Sequence, residues 1–188
     1  MENIISRFAE NIAVYNNYSN DQKEEIEYTL KIIIYETTKI LFLIIMFYFV
    51  GYLSEALVIL FVMSITKPFI GGYHEDSQIK CFIATSILIF IIIQFVKEIN
   101  ITFWGSVLLN SISIFAIYNK APIINEKMPI TKENLIRRNR LIGILNTLIL
   151  AIISLSLFNL TQLAKVIVWT ILIQCIFMFN KNEYKFKI

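Results

Sequence analysis

The sequence predicts an all-α protein that crosses a membrane several times. Of its 188 residues, 57% are hydrophobic and only 16% are charged, and the mean hydropathy is +0.67. A soluble domain usually carries about 25% charged residues, so this chain has more apolar surface than a small water-soluble core could bury. Several apolar runs approach the ~20 residues that a helix needs to cross a bilayer. We expect a polytopic integral membrane protein with about six transmembrane or partly embedded helices, in a single membrane domain over residues 1–188.

Residues 1–18 predict an amphipathic helix that lies in the membrane interface. Ile5, Phe8, Ile12 and Tyr15 recur at a helical spacing, with polar residues between them. The alternative is a first helix that packs against the rest of the bundle. A basic segment followed by an apolar one is missing here, so we expect no secretory signal peptide.

Six apolar runs follow this first helix. Ser19-Asn20-Asp21 is a helix start signal, and the helix it opens is expected to run from Asp21 to about Leu53. The next run is short and ends at Lys67-Pro68, so it needs Phe69 and Ile70 to cross the bilayer. Otherwise it stops part-way, which is tolerated only where protein or a wet cavity covers the backbone. The five later runs are 56–65, 81–96, 101–118, 141–158 and 163–179.

Two polar segments, residues 66–80 and 119–140, interrupt these runs. The second contains Pro122 and Pro129, and its basic side chains outnumber its acidic ones, Glu126 and Glu133. It is either a signal for membrane orientation only or a docking site for an acidic peptide or anionic lipid. Its basic residues are Lys120, Lys127, Lys132, Arg137, Arg138 and Arg140.

The distribution of basic residues predicts the orientation. With six spans, both polar segments and both termini lie on one side, together with nearly all lysines and arginines. The opposite side has Lys97, with Lys165 just inside the last span. Basic residues are retained in the cytoplasm, so both termini and residues 66–80 are expected there.

The candidate catalytic residues lie within residues 66–80 and at the start of the next apolar run. His74 is the only histidine and Cys81 is one of two cysteines. A cysteine protease needs a thiolate and a base that handles its proton. On one straight helix, the seven-residue spacing of His74 and Cys81 would separate them by about 10 Å. Hydrogen-bond reach is only about 3 Å, so a dyad requires a bend between them.

The intervening residues can provide that bend. Gly71-Gly72 is a hinge, and Asp76 or Ser77 could cap the next helix. Cys81 would then lie in the first turns, where the helix dipole favours a thiolate. The alternatives are an interfacial histidine and a cysteine that acts as a small hydrophobe, because His-x6-Cys is not a general catalytic signature.

The polar residues inside the spans have a structural interpretation. Such groups usually form hydrogen bonds between helices, and Cys175 in its apolar run is expected to be inert. The amides concerned are Gln94, Asn110, Asn146 and Gln174.

Gly71-Gly72-Tyr73-His74, followed seven residues later by Cys81, resembles the AgrB family, the accessory gene regulator B membrane endopeptidases. The chain length, the amphipathic start and the basic segment with its two prolines are also similar to that family. Two positions depart from it. Lys67 stands where the family usually has arginine, and Glu75 stands where alanine is common. Lysine cannot make the bidentate contact of arginine.

The resemblance implies a function in Gram-positive quorum sensing. Cys81 attacks the bond before the C-terminal tail of a peptide precursor, His74 is the matching catalytic histidine, and the acyl-enzyme thioester is captured by an internal Cys or Ser as a thiolactone or lactone. Beside this, the N–H groups of Gly71 and Gly72 could stabilise the oxyanion. Lys67 is a possible electrostatic contributor, and two further side chains either orient His74 or are solvated loop charges: Glu75 and Asp76.

The same resemblance implies partners and a location. It implies a homodimer in the bacterial cell membrane and a precursor with an amphipathic N-terminal helix and an acidic tail. We expect no cofactor, metal or nucleic acid. The competing hypothesis is a non-catalytic membrane peptide-binding or small transporter-like protein. Charge complementarity assigns precursor docking to Lys127, Lys132, Arg137, Arg138 and Arg140.

Overall fold

A computed structural model describes residues 2–71, 77–123 and 132–179 of the chain. These residues form seven α-helices and no strand, which confirms the all-α class. The helices are α1 (Glu2–Tyr15), α2 (Asn20–Val50), α3 (Leu53–Ile70), α4 (Gln78–Glu98), α5 (Phe103–Lys120), α6 (Glu133–Ser156) and α7 (Leu163–Met178).

Four helices in the described ranges are long and apolar enough to cross a membrane: α2, α3, α4 and α6. Helix α7 is apolar but has only 16 residues, and the 18 residues of α5 include Asn110 and three serines. The helices therefore support the integral membrane class that composition predicts, whereas the count of six spans stays a prediction.

The chain divides into two compact units, Met1–Met46 and Phe47–Ile188. In the first unit, α1 is followed by a turn in which the Tyr18 N–H donates to the Ala13 carbonyl at 2.9 Å. Ser19 then starts α2 with reciprocal bonds to Gln22, because each backbone N–H donates to the other residue's side-chain oxygen. This capping box satisfies N–H groups that the first turn leaves without an acceptor, and it confirms the predicted start signal.

The buried face of α1 differs from the predicted apolar face. Ile5, Ala9 and Ala13 are buried, whereas Phe8 and Tyr15 are exposed. The buried positions follow a four-residue spacing on which small alanines permit close packing. The membrane-interface position of this helix stays a prediction.

In the second unit, α7 is the central helix and packs against α3, α4, α5 and α6. Most of its residues are buried. A helix that is apolar on all sides has no polar face to present to solvent, so it occupies the core. Its central position explains how so short a helix can contact four others.

Polar side chains connect the helices of this bundle. The Asn110 amide donates to the Ser154 hydroxyl at 3.1 Å, and the Asn146 amide donates to the Ile65 carbonyl at 2.8 Å. The Thr66 hydroxyl bonds the side-chain oxygen of Gln174 at 2.5 Å. These contacts confirm the prediction of interhelical hydrogen bonds for Asn110, Asn146 and Gln174.

Helix α3 continues through Pro68 and ends at Ile70. It therefore includes Phe69 and Ile70, the two apolar residues that this run was predicted to need in order to cross the bilayer. Proline lacks an N–H and its ring crowds the preceding turn of a helix. In that turn, the Ile65 carbonyl has the Asn146 amide as a donor from α6. The carbonyl that Pro68 leaves without a helical donor is that of Ser64, so the bond from Asn146 joins α3 to α6 one residue beyond it.

Two lysines near helix ends, Lys97 and Lys165, contact aromatic rings and polar side chains. Lys97 donates to the Tyr52 hydroxyl and lies 4.1 Å from the centre of its ring. Lys165 donates to the Asn100 side chain at 3.2 Å and lies 5.7 Å from the ring centre of Phe158. Cation–π contacts of this kind stabilise a cation beside a ring face. These are the two exceptions to the predicted charge asymmetry.

Candidate active site

Cys81 is the fourth residue of α4, so it lies in the first turn as predicted. Ser77 is the N-cap residue, with extended backbone angles of φ −116° and ψ 136°. Its carbonyl accepts the first helical bond, from the Cys81 N–H at 2.8 Å. The Ser77 hydroxyl makes no capping bond. The Cys81 side chain is partly exposed at the positive end of the helix dipole.

The second cysteine is in a different environment. Cys175 is buried in α7, and its thiol donates to the Ser113 carbonyl at 3.4 Å. It also belongs to an apolar cluster with Ile70, Ile117, Ala121 and Met178. Burial closes this sulfur to a peptide substrate, in agreement with its predicted inertness.

Several predicted site residues lie outside the described residues. The separation of the His74 imidazole and the Cys81 thiol therefore stays a prediction, as do the roles of the other residues in this set. They are Gly72, His74, Glu75, Asp76 and Lys127.

Gly71 ends α3 in a conformation that only glycine adopts readily. Its φ is +76°, and its N–H donates to the Lys67 carbonyl at 3.0 Å. This bond occupies the N–H that was predicted to be available for an oxyanion. The structure therefore favours the loop-shaping half of the Gly71 prediction. Lys67 lies in the last turn of α3 and is partly buried.

A backbone contact joins the first polar segment to the second. The Ile123 N–H, just after α5, donates to the Ile70 carbonyl at 3.0 Å. A Cβ atom on Gly71 would lie only 2.2 Å from the Ile123 carbonyl oxygen. The chain therefore continues beyond Gly71 and beyond Ile123 from two neighbouring positions.

Helix α6 completes this contact from the other side. A Cβ atom on Gly143 would lie 2.8 Å from Cγ2 of Ile70, which is 1% exposed. Ile123 and Gly143 were not among the predicted site residues. Gly143 interrupts an apolar helix, and a glycine there is a known signal of close helix approach. Ile123 has no such signal, because its contact depends on two backbones that are distant in sequence.

The basic residues of the second polar segment fall into two groups. Lys132, Arg137 and Arg138 are exposed, and Arg137 lies 3.7 Å from Glu133. Arg140 instead donates to the Tyr118 carbonyl in the last turn of α5 and lies 5.1 Å from the ring centre of Tyr118. The carbonyls at a helix C-terminus attract cations, so Arg140 connects α6 to α5.

These features define a class: helical membrane proteins in which a glycine ends one helix and a partly exposed thiol lies in the first turn of the next. A model of the family "Accessory gene regulator B" (AgrB) matches residues 2–178. The chain belongs to the AgrB family, as the sequence resemblance indicated.

Curated relatives agree with the family match. "Putative AgrB-like protein 1" of Clostridium perfringens (strain 13 / Type A) is 42% identical over 160 residues, which cover 85% of this chain and 86% of the relative. "Putative AgrB-like protein 2" of the same strain is 30% identical, over 71% of this chain and 65% of the relative. "Putative AgrB-like protein" of Clostridium beijerinckii is 26% identical, over 80% and 79%. No solved structure matches the chain.

Proposed function

We propose that this chain is a membrane-embedded cysteine endopeptidase. It cleaves the C-terminal tail from a quorum-sensing peptide precursor and permits the remaining peptide to cyclise. One observation carries the proposal. In an AgrB-family chain with two cysteines, only Cys81 combines partial exposure with a place in the first turn of a helix, seven residues after the single histidine.

The first half of the reaction forms a thioester. The Cys81 sulfur attacks the carbonyl carbon before the precursor tail, and His74 accepts the thiol proton. As the peptide bond breaks, His74 returns this proton to the amine of the departing tail. The precursor remains attached to the Cys81 sulfur through its new C-terminal carbonyl.

The second half closes the ring. A Cys thiol or Ser hydroxyl inside the precursor attacks the thioester carbonyl and loses its proton to His74. The carbon–sulfur bond to Cys81 breaks, and the Cys81 thiolate takes the proton back. The products are a thiolactone or lactone and an unmodified enzyme.

Cyclisation requires that water be kept from the thioester. Exchange of one thioester for another is nearly balanced in free energy, whereas hydrolysis is strongly downhill, so exclusion of water directs the acyl group into the ring. Buried apolar residues at the foot of the loop support this role. Ile70, Ile117 and Met178 are each 1% exposed and pack in one cluster with Ala121 and Cys175.

Backbone N–H groups are candidates to stabilise the oxyanion. The Gly71 N–H is bonded to the Lys67 carbonyl, which leaves Gly72 and the start of α4 as the candidates. The first N–H groups of a helix have no intrahelical acceptor and favour negative charge. Those of Ile79 and Lys80 lie in the same turn as Cys81.

The precursor is proposed to bind through its acidic tail. Lys132, Arg137 and Arg138 are exposed near the start of α6 and can attract carboxylates, together with Lys127 in the adjacent segment. The active-site loop and both termini are proposed to face the cytoplasm of a bacterial cell, and the enzyme is proposed to act as a homodimer.

Co-expression of the chain with a short precursor tests the function. The precursor needs an internal Cys or Ser and an acidic tail, and its products are followed by mass spectrometry. Cys81→Ala and Cys81→Ser should abolish processing, whereas Cys175→Ser should leave it largely intact. Full processing by Cys81→Ala would end the cysteine-protease proposal. A wild-type chain that binds the peptide and leaves it intact would favour a non-catalytic peptide-binding or transporter-like protein.

A further inference from the structure

Contacts between three helices meet where the two polar segments begin. The Ile123 N–H bonds the Ile70 carbonyl, the Gly71 Cα faces the Ile123 carbonyl, and Gly143 of α6 lies against Ile70. We call these four residues, Ile70, Gly71, Ile123 and Gly143, the loop lock. The lock consists of backbone and small-residue contacts, so its geometry depends on the close approach of the chains.

We infer that the loop lock is a positioning site for the reaction at Cys81. It fixes the place and direction in which the chain leaves α3, and His74 follows Gly71 by only three residues. The inference rests on the proposed function, since it assigns these residues to the placement of His74. The effect assigned to them is exerted through the placement of His74.

The loop lock leaves no room for a side chain at Gly71. Ordinary contacts begin at 3.4 Å, whereas a Cβ here would meet the Ile123 oxygen at 2.2 Å and the Ile123 nitrogen at 2.9 Å. Because these are backbone atoms, they cannot move away by a change of rotamer. Any other residue therefore has to displace one chain by about 1 Å, and a misplacement of that size can cost about 100-fold in rate.

Ile123 gives the lock a second consequence. It is the last described residue before the basic part of the second polar segment, and it shares a hydrogen bond with Ile70. A displacement at either residue is transmitted to the other through this bond. The loop lock therefore couples the position of Gly71, which precedes His74, to the position of Ile123, which precedes Lys127.

A matched pair of glycine variants tests the lock. Gly51 has φ +83° and Gly71 has φ +76°, but a Cβ on Gly51 would meet nothing within 4 Å. Gly51→Ala therefore also places a side chain at a positive φ, but without the collision. Gly71→Ala should lower the rate of thioester formation by about 100-fold, and Gly51→Ala should remain close to wild type. Equal rates in the two variants would overturn the inference.

A second readout does not depend on activity. In a Cys81→Ala background, the full chain in detergent is treated with trypsin and cleavage after Lys127 is timed. Gly71→Ala should accelerate this cleavage in the other segment, and Gly51→Ala should not. If the difference holds while the wild type processes no precursor, the lock stands and the proposed function fails. Equal cleavage rates in the two variants would contradict the coupling between the two polar segments.

A rescue experiment covers the case in which Gly71→Ala does not fold. In Gly143→Ala, the new Cβ would meet Cγ2 of Ile70 at 2.8 Å. Ile70→Leu conserves the side-chain volume and removes that β-branch. Gly143→Ala should slow thioester formation, and added Ile70→Leu should restore much of the rate. A double variant that is no faster than Gly143→Ala would contradict the lock.

Discussion

The Thr66 hydroxyl lies between two acceptors, the side-chain oxygen of Gln174 at 2.5 Å and the Val62 carbonyl at 2.7 Å. Thr66 is 1% exposed and Gln174 is 7% exposed, so water does not compete freely for either group. The contact joins α3 to α7 immediately before Lys67, where the candidate site begins. It is one of the polar bonds that hold the end of α3 in place.

The two residues of this pair should respond differently to substitution. Thr66→Val leaves the buried Gln174 oxygen without this donor and should cost about 1–3 kcal/mol of unfolding free energy. Gln174→Leu should cost less, because Thr66 keeps the Val62 carbonyl as an acceptor within its own helix. Chemical unfolding in mild detergent measures both. The double variant should be more stable than Thr66→Val alone, and simple additivity of the two losses would contradict the pairing.

The arginines near the start of α6 should separate into a structural residue and binding residues. Arg140→Lys should lower the unfolding free energy, because lysine cannot reproduce both the bond to the Tyr118 carbonyl and the contact with its ring. Arg137→Lys with Arg138→Lys should leave stability unchanged and weaken precursor binding by roughly tenfold or more, since bidentate carboxylate contacts are lost.

Titration of labelled precursor at two salt concentrations measures this second effect. Salt should weaken wild-type binding by screening the same contacts. Unchanged affinity in the double lysine variant, without salt dependence, would reduce these arginines to a signal for membrane orientation.

The predicted orientation can be tested with introduced cysteines in a Cys81→Ala and Cys175→Ser background. Single cysteines at exposed positions, Ile79 in the first polar segment and Arg138 in the second, should resist a membrane-impermeant reagent in intact cells. Both should react after the cells are opened, because basic segments stay in the cytoplasm. A cysteine at exposed Leu160 is the control for the opposite side. Reaction of Ile79→Cys and Arg138→Cys from outside would reverse the orientation.

Much of the helical fold follows from local sequence signals. Ser19 and Gln22 form the capping box that a start signal at that position predicts, and α4 begins after Ser77 so that Cys81 falls in its first turn. These features depend on residues a few positions apart, which sequence patterns record. The interhelical hydrogen bonds of Asn110, Asn146 and Gln174 were likewise predictable, because an unpaired amide is costly in an apolar environment.

The loop lock was not predictable from sequence. The bond from Ile123 to Ile70 joins backbones that are far apart along the chain, and backbone groups carry no mark of their partner. The sequence predicts Gly71 to be a hinge with its N–H available to the oxyanion, whereas this N–H donates to the Lys67 carbonyl at the end of α3. In α1, periodicity places Phe8 and Tyr15 on an apolar face, and both are exposed, whereas Ile5, Ala9 and Ala13 are buried. The position of that face in the membrane interface stays a prediction.

Peptide mapping of the acyl-enzyme tests the central claim most directly. The full chain is mixed with its precursor, stopped within one turnover and digested, and the Cys81 peptide is examined by mass spectrometry. We expect the precursor without its tail to be attached to Cys81 through a bond that hydroxylamine cleaves, and we expect no adduct on Cys175. Released tail with no adduct at Cys81, together with unchanged processing by Cys81→Ala, would contradict the account.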